Sequence, residues 1–163
     1  MMKRSMTVAF LLVVLILATM DAWSESHKKP VPRGNAVWTY ISETNPYETW
    51  DYWPGHEGMY PGKSPHGAFL KLYANKMAIE AARKGEPMPS GAILVKENYG
   101  KDKKTLVAIT PMYKVLGYNP ENGDWFWAKY EANGTIAAEG MVDSCIQCHL
   151  SAKQNDYIFT KPK

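Results

Sequence analysis

The chain has 163 residues with 19 basic and 16 acidic side chains, a near balance that leaves no electrostatic footprint for nucleic acid. Its hydrophobic content of 45% supports one domain with a real core, and the length is too short for two comfortable ones. Only two of the residues are cysteine, so a disulfide-dense scaffold is excluded.

The amino terminus carries Lys3 and Arg4, then an uncharged apolar run from Met6 to about Ala18, then Ala22, Trp23 and Ser24. This is the pattern of a secretory signal peptide over residues 1–24, which predicts an exported, periplasmic or similar location. An uncleaved anchor is the rival reading, but the run is shorter than the ~20 apolar residues that span a bilayer. After cleavage no membrane association is expected. The loss of Lys3, Arg4 and Asp21 leaves 17 basic and 15 acidic residues, with all ten tyrosines and five of the six tryptophans retained. Such an aromatic load suits either a large flat apolar ligand or a dense core.

Residues 25–35 are polar, basic and broken by prolines, which predicts a flexible lead-in. Residues 36–163 form the expected single domain. A short helix is predicted over about Ala36 to Glu43, with Val37, Tyr40 and Ile41 on one face, followed by a Pro/Gly-rich aromatic loop. The loop from Asn45 to Tyr60 is a candidate wall for a ligand. The stretch FLKLYANKMAIEAARKGEPMPSG reads as a strand followed by a helix, with Asn75 as N-cap and Gly85 as the stop. Three more strands are expected in GAILVKENY, TLVAITPMYKVLGY and DWFWAKYEANG, separated by turn-forming residues. Sequential strands with short turns argue for an antiparallel sheet, and with the helices for an α+β fold. A final short helix, about Met141 to Ala152, carries both cysteines.

Cys145 and Cys148 lie one helical turn apart, so a disulfide between them would close a tiny loop and remove little entropy from the unfolded chain. A redox CxxC normally follows an early strand of a βαβ unit, which is missing upstream. Structural zinc would need further ligands at the right spacing. With His149 directly after Cys148, the motif is C-x-x-C-H, the attachment signature of haem c. On a helix the two thiols project from one face and can form thioethers with the haem vinyl groups, and His149 becomes the iron ligand.

Only fourteen residues follow His149, and none is methionine. The small electron-carrier arrangement, with a downstream methionine ligand, is therefore excluded. Upstream candidates for the sixth position are Met59, Met77, Met88, Met112, Met141, His56 and His66, each of which also has an ordinary packing or turn reading. An open sixth position is expected, which means ligand chemistry at the iron. Four-helix cytochromes with a late CxxCH do not fit a chain whose middle reads as strands.

The run PHGAFLKLYANKMA, then GAILVKENY, MYKVLGYNPENGDWFWA, CIQCH and DYIFT resembles the cytochrome P-460 family and its relatives, the β-sheet cytochromes c′-beta. The resemblance implies a five-stranded antiparallel sheet packed with helices, usually in a homodimer, with haem c held near the carboxy terminus. It also implies that Lys96, in the strand motif GAILVKENY, corresponds to the lysine that cytochrome P-460 crosslinks to a haem meso carbon. Alternation places Lys96 with Ala92 and Leu94 on one strand face, opposite Ile93, Val95 and Glu97. Lys71 and Lys114 are weaker candidates in strand-like runs.

Family members that oxidise hydroxylamine use a distal carboxylate, for which Glu139 and Asp143 are the candidates, and His66 is a candidate polar group of the distal pocket. The implied activity is hydroxylamine oxidation to nitric oxide or nitrous oxide, with an electron-accepting cytochrome as partner. The alternative is nitric oxide binding without turnover. A carboxylate or other base in the pocket favours the enzyme, and an apolar cap from Phe69, Phe126 or Trp127 favours gas binding.

Overall fold

A computed structural model describes residues 29–161, and the expected signal peptide lies outside the described residues. The first helix, α1 (Gly34–Thr39), runs into a π-helical turn, Tyr40–Thr44, in which Asn45 N–H reaches back to the Tyr40 carbonyl at 2.8 Å. Val37 and Ile41 are wholly buried on its inner face, as their spacing predicts. The aromatic loop that follows contributes a 3-10 turn at Tyr47–Thr49 and two dipeptide strands, β1 (Asp51–Tyr52) and β2 (Tyr60–Pro61).

Strand β3 (Phe69–Ala74) leads directly into α2 (Lys76–Lys84). Asn75 caps this helix by accepting from Ala78 N–H at 3.1 Å, and Gly85 ends it at φ 66°, a left-handed conformation that glycine adopts without a steric penalty. A meander follows through β4 (Ile93–Tyr99), β5 (Leu106–Lys114), β6 (Trp125–Tyr130) and β7 (Ile136–Gly140). The last helix, α3 (Asp143–His149), continues as a 3-10 segment, Leu150–Asn155. Among the described residues, no helix is long and apolar enough to cross a membrane.

The sheet order is β1-β3-β4-β5-β6-β7, with β2 also on β3 and every pairing antiparallel. The fold is α+β as expected, but the sheet has seven strands rather than five. The two dipeptide strands come from the loop read as irregular, and β7 reads IAAEG, whose alanines and glycine carry little strand propensity.

Both faces of this sheet are covered. One face holds Leu72, Leu94, Met112 and Trp127 under α2 and the C-terminal segment. The other holds Tyr73, Ile93, Val95, Ile109 and Tyr130 under α1 and the aromatic loop. Apolar cover on both sides explains why β4 opens with three consecutive aliphatics, Ile93, Leu94 and Val95, before its polar half begins at Lys96. Two irregularities shape the first face. Pro111, lacking an N–H, stands where the β5–β6 pairing is interrupted between Ile109 and Met112. The β4–β5 register shifts after Asn98, leaving Val107 as an extra residue with 57% of its surface exposed.

Candidate haem site

The glycine that ends β7 has φ 96°, and the chain turns there into α3 with Cys145 N–H and Ile146 N–H both bonded to the Val142 carbonyl. Ile146 anchors the helix in the core, which sets the direction of its neighbours at i−1 and i+2. Cys145 and Cys148 consequently line one cavity together with His149. Both thiols are free, and burial pushes that of Cys145 up.

The cavity measures about 290 Å³ and lies between α3, the first face of the sheet and the C-terminal segment. Its apolar wall is Leu72, Leu94, Met112, Trp127 and Ile158, and Val107 and Phe159 stand half exposed at its rim. Its polar side chains include Lys96, Asn98, Thr110 and His66. Among the described residues no Asp or Glu lines it.

His149 is buried, and its Nδ1 lies 2.7 Å from the Tyr157 carbonyl oxygen. Since a carbonyl only accepts, Nδ1 carries the proton and Nε2 keeps its lone pair for a metal. Trp127 and Phe159 hold the imidazole from two sides, with ring centroids at 4.6 and 5.0 Å. Burial lowers the His149 pKa, the Tyr157 hydrogen bond opposes this, and nearby Lys96 adds to it. The neutral form is the one that ligates.

Lys96 sits in the middle of β4, paired with Leu72 on one side and Thr110 on the other, and its side chain enters the cavity. Desolvation pushes its ammonium down to about 8, partly offset by the Cys148 thiol. The neighbouring Glu97 faces the opposite way and accepts from the Tyr47 and Tyr99 hydroxyls at 3.0 and 2.9 Å, with Lys71 Nζ at 3.6 Å. Lys71 is therefore committed to that second cluster. Lys114 is likewise bound, to Asp156 at 2.6 Å. Of the three lysines, only Lys96 reaches the site.

His66 lies in the loop before β3 with its ring 6.3 Å from that of His149 and nearly perpendicular to it. Asn98 orients it. The Asn98 amide donates to the Ala108 and Lys96 carbonyls and the Thr110 hydroxyl, so Oδ1 is left to accept from His66 Nδ1 at 2.9 Å and Gly67 N–H at 3.2 Å. His66 Nε2 is then the free acceptor. Burial lowers the His66 pKa to about 4, with the Lys96 charge acting in the same direction.

The structure does not bring Glu139 and Asp143 to the cavity. Glu139 accepts a short hydrogen bond from Gly34 N–H beside α1, and Asp143 is exposed at the first position of α3. Their closeness to Cys145 in sequence is undone by the turn between β7 and α3. Of the upstream ligand candidates, His66 and Met112 line the cavity and the others do not. Of the aromatic caps, Trp127 lines it, Phe126 packs on the opposite sheet face, and Phe69 lies under the Lys103 ammonium. The loop from Asn45 to Tyr60 supplies none of the cavity's lining residues and packs elsewhere. Sequence reasoning missed Asn98 and Thr110, although the alternation that picked out Lys96 extends to Asn98.

These residues fit a haem. Two free thiols stand one turn apart, an imidazole offers a directed Nε2, the walls are apolar, and the buried Trp127 indole N–H in that wall has no partner. The described residues contain no cluster of three His, Cys, Asp or Glu side chains that could hold a bare metal ion. A family model described as Cytochrome P460 matches residues 44–160, most of the chain. No curated protein matches it closely.

Proposed function

This chain belongs to the cytochrome P460 family, a family of haem proteins, and from that premise we propose that it is an exported mono-haem c protein that oxidises hydroxylamine. The observation that carries the reading is the convergence of Cys145, Cys148, His149 and Lys96 on one apolar cavity. Cys145 and Cys148 would hold the haem through its vinyl groups, and His149 Nε2 would hold the iron. When bound, the haem supplies an iron that takes a nitrogen ligand at its open position and accepts electrons from it. Lys96 Nζ, which lines the same cavity, would be the residue to hold the ring at a second point. His66 is the proton acceptor: it is uncharged at neutral pH, and Asn98 holds its Nδ1–H so that Nε2 is free. The apolar wall excludes water from the reacting nitrogen. Electrons leave to a partner cytochrome, and a homodimer is the expected assembly.

A second reading, nitric oxide binding without turnover, is favoured by the lack of a carboxylate among the described lining residues. Three measurements separate the two. A strongly red-shifted Soret band and a haem-bearing peptide that contains Lys96 are expected of the crosslinked protein; an ordinary high-spin haem c spectrum with unmodified Lys96 would remove the crosslink. Steady-state turnover of hydroxylamine with an artificial electron acceptor is the third, and oxidation no faster than a free-haem control would leave gas binding as the function.

A further inference from the structure

The carbonyl that fixes the His149 tautomer belongs to a strained turn. Asp156 and Tyr157 both have positive φ, 50° and 65°, a left-handed conformation that non-glycine residues avoid unless their surroundings impose it. Three separate parts of the fold impose it through Asp156. Lys114 Nζ, at the end of β5, binds its Oδ1 at 2.6 Å. The Trp125 indole N–H, at the start of β6, reaches both Oδ1 at 3.2 Å and the Asp156 carbonyl at 3.0 Å. Met88 N–H, in the segment after α2, binds Oδ2 at 2.9 Å. The Lys114 ammonium also lies 4.9 Å from the centre of the Trp125 ring, so the cation and the indole support each other.

The next peptide is held as firmly. Tyr157 N–H bonds to the Ala152 carbonyl and Ile158 N–H to the Asn155 carbonyl, each at 3.0 Å. The Tyr157 ring occupies the space where a side chain at Gly123 would stand, since a Cβ there would come within 2.5 Å of it. With the plane on both sides of Tyr157 fixed, its carbonyl can point only at His149 Nδ1.

We infer that Asp156 and Lys114 are positioning residues for the iron ligand: their ion pair holds the Asp156–Tyr157 turn, and the turn holds His149. The inference rests on the haem c reading above. Its physical content is that a short, well-directed Nδ1–H···O=C bond raises the basicity of the ligating nitrogen and hence its donation to iron. A purely structural ion pair would add stability and leave the ligand's electronic character alone.

The test uses purified holoprotein with Asp156→Asn, Lys114→Met and Lys114→Arg. Haem content is read by pyridine haemochrome, the Fe–His stretch by resonance Raman of the ferrous form, and the reduction potential by titration. Asp156→Asn and Lys114→Met are expected to keep one haem per chain, to broaden the Fe–His band and move it to lower frequency, and to raise the potential. Lys114→Arg is expected to restore both toward wild type. Full haem loading with the wild-type band and potential in both disruptive variants would overturn the inference. If Asp156→Asn does not fold, Lys114→Met decides, because a methionine keeps the length and packing of the stem. Wild-type protein without covalent haem would instead overturn the haem c reading, and the inference with it.

Discussion

A neutral imidazole accepts a proton at whichever nitrogen lacks one, and in this cavity Asn98 Oδ1 keeps the His66 proton on Nδ1 and so leaves Nε2 as the accepting side. Replacing His66 by Phe should lower hydroxylamine turnover by roughly 10²-fold or more, the usual scale for a general base, with haem attachment unchanged on a haem-stained gel. Turnover unaffected in this variant would exclude His66 as the base. Asn98→Ala should cut the rate less and cost about 1–3 kcal/mol of stability, because the buried Ala108 carbonyl loses its donor; urea titration reads the second effect. The residues proposed to carry attachment could be picked out at this scale because CxxCH carries its spacing on its face, and the structure brings them to one cavity. Asn98, Asp156 and Tyr157 could not, because their importance lies in what they touch 8 to 68 residues away. Glu139 and Asp143 drew attention through adjacency to Cys145, and adjacency along the chain says little across a reversal of direction.

Strand β4 shows how one element serves two purposes. Lys96 enters the haem cavity while Glu97, one residue on, accepts from the Tyr47 and Tyr99 hydroxyls on the opposite face, so the strand cannot slip by one residue without exchanging the two environments. Lys96→Met should leave haem c attached through the cysteines and remove the crosslinked peptide and the red shift. A shifted spectrum surviving in that variant would point to another bond. The β3–α2 corner is held by Asn75, which caps the helix through Ala78 N–H, accepts from Ile93 N–H at 3.2 Å and donates to the Gly91 carbonyl at 2.8 Å. Asn75→Ala should therefore cost about 2 kcal/mol, the upper end for a cap, in a chemical denaturation midpoint. Strands rich in Val, Ile, Leu and aromatics could be found from pattern alone, as could this capped helix. The dipeptide strands β1 and β2 could not, since two residues carry no period, and their pairing exists only because β3 offers an edge to them.

At the scale of the molecule, a seven-stranded sheet with aromatic cores on both faces buries many phenols. Burial pushes Tyr60 and Tyr113 up to about 12 from 10.0, and raises Tyr47, Tyr73 and Tyr130 as well. The folded state then keeps protons that the unfolded chain gives up as pH approaches and passes about 10, so the phenols leave stability unchanged up to about pH 9 and lower it progressively from there to about 12. Tyr113 alone contributes on the order of 1 kcal/mol per pH unit in this window. Denaturation midpoints at pH 8, 9 and 11, read in Lys96→Met so that the lowered Lys96 ammonium does not titrate in the same range, should be level between the first two and lower at the third; a flat profile would mean that these phenols ionise freely in the folded protein. The α+β class and the late position of the CxxCH motif could both be read from the sequence. The strand count could not, and neither could the way the last residues fold back over the site.

That return of the chain imposes an order in time. His149 precedes by eight residues the Tyr157 carbonyl that orients it, and Phe159, which packs on its ring, comes later still. During synthesis the motif emerges with Trp127 already available to its imidazole, but before the Tyr157 carbonyl and Phe159 exist to complete its orientation. On the haem c reading proposed above, CIQCH would be available for attachment before the segment 157–159 folds back over His149.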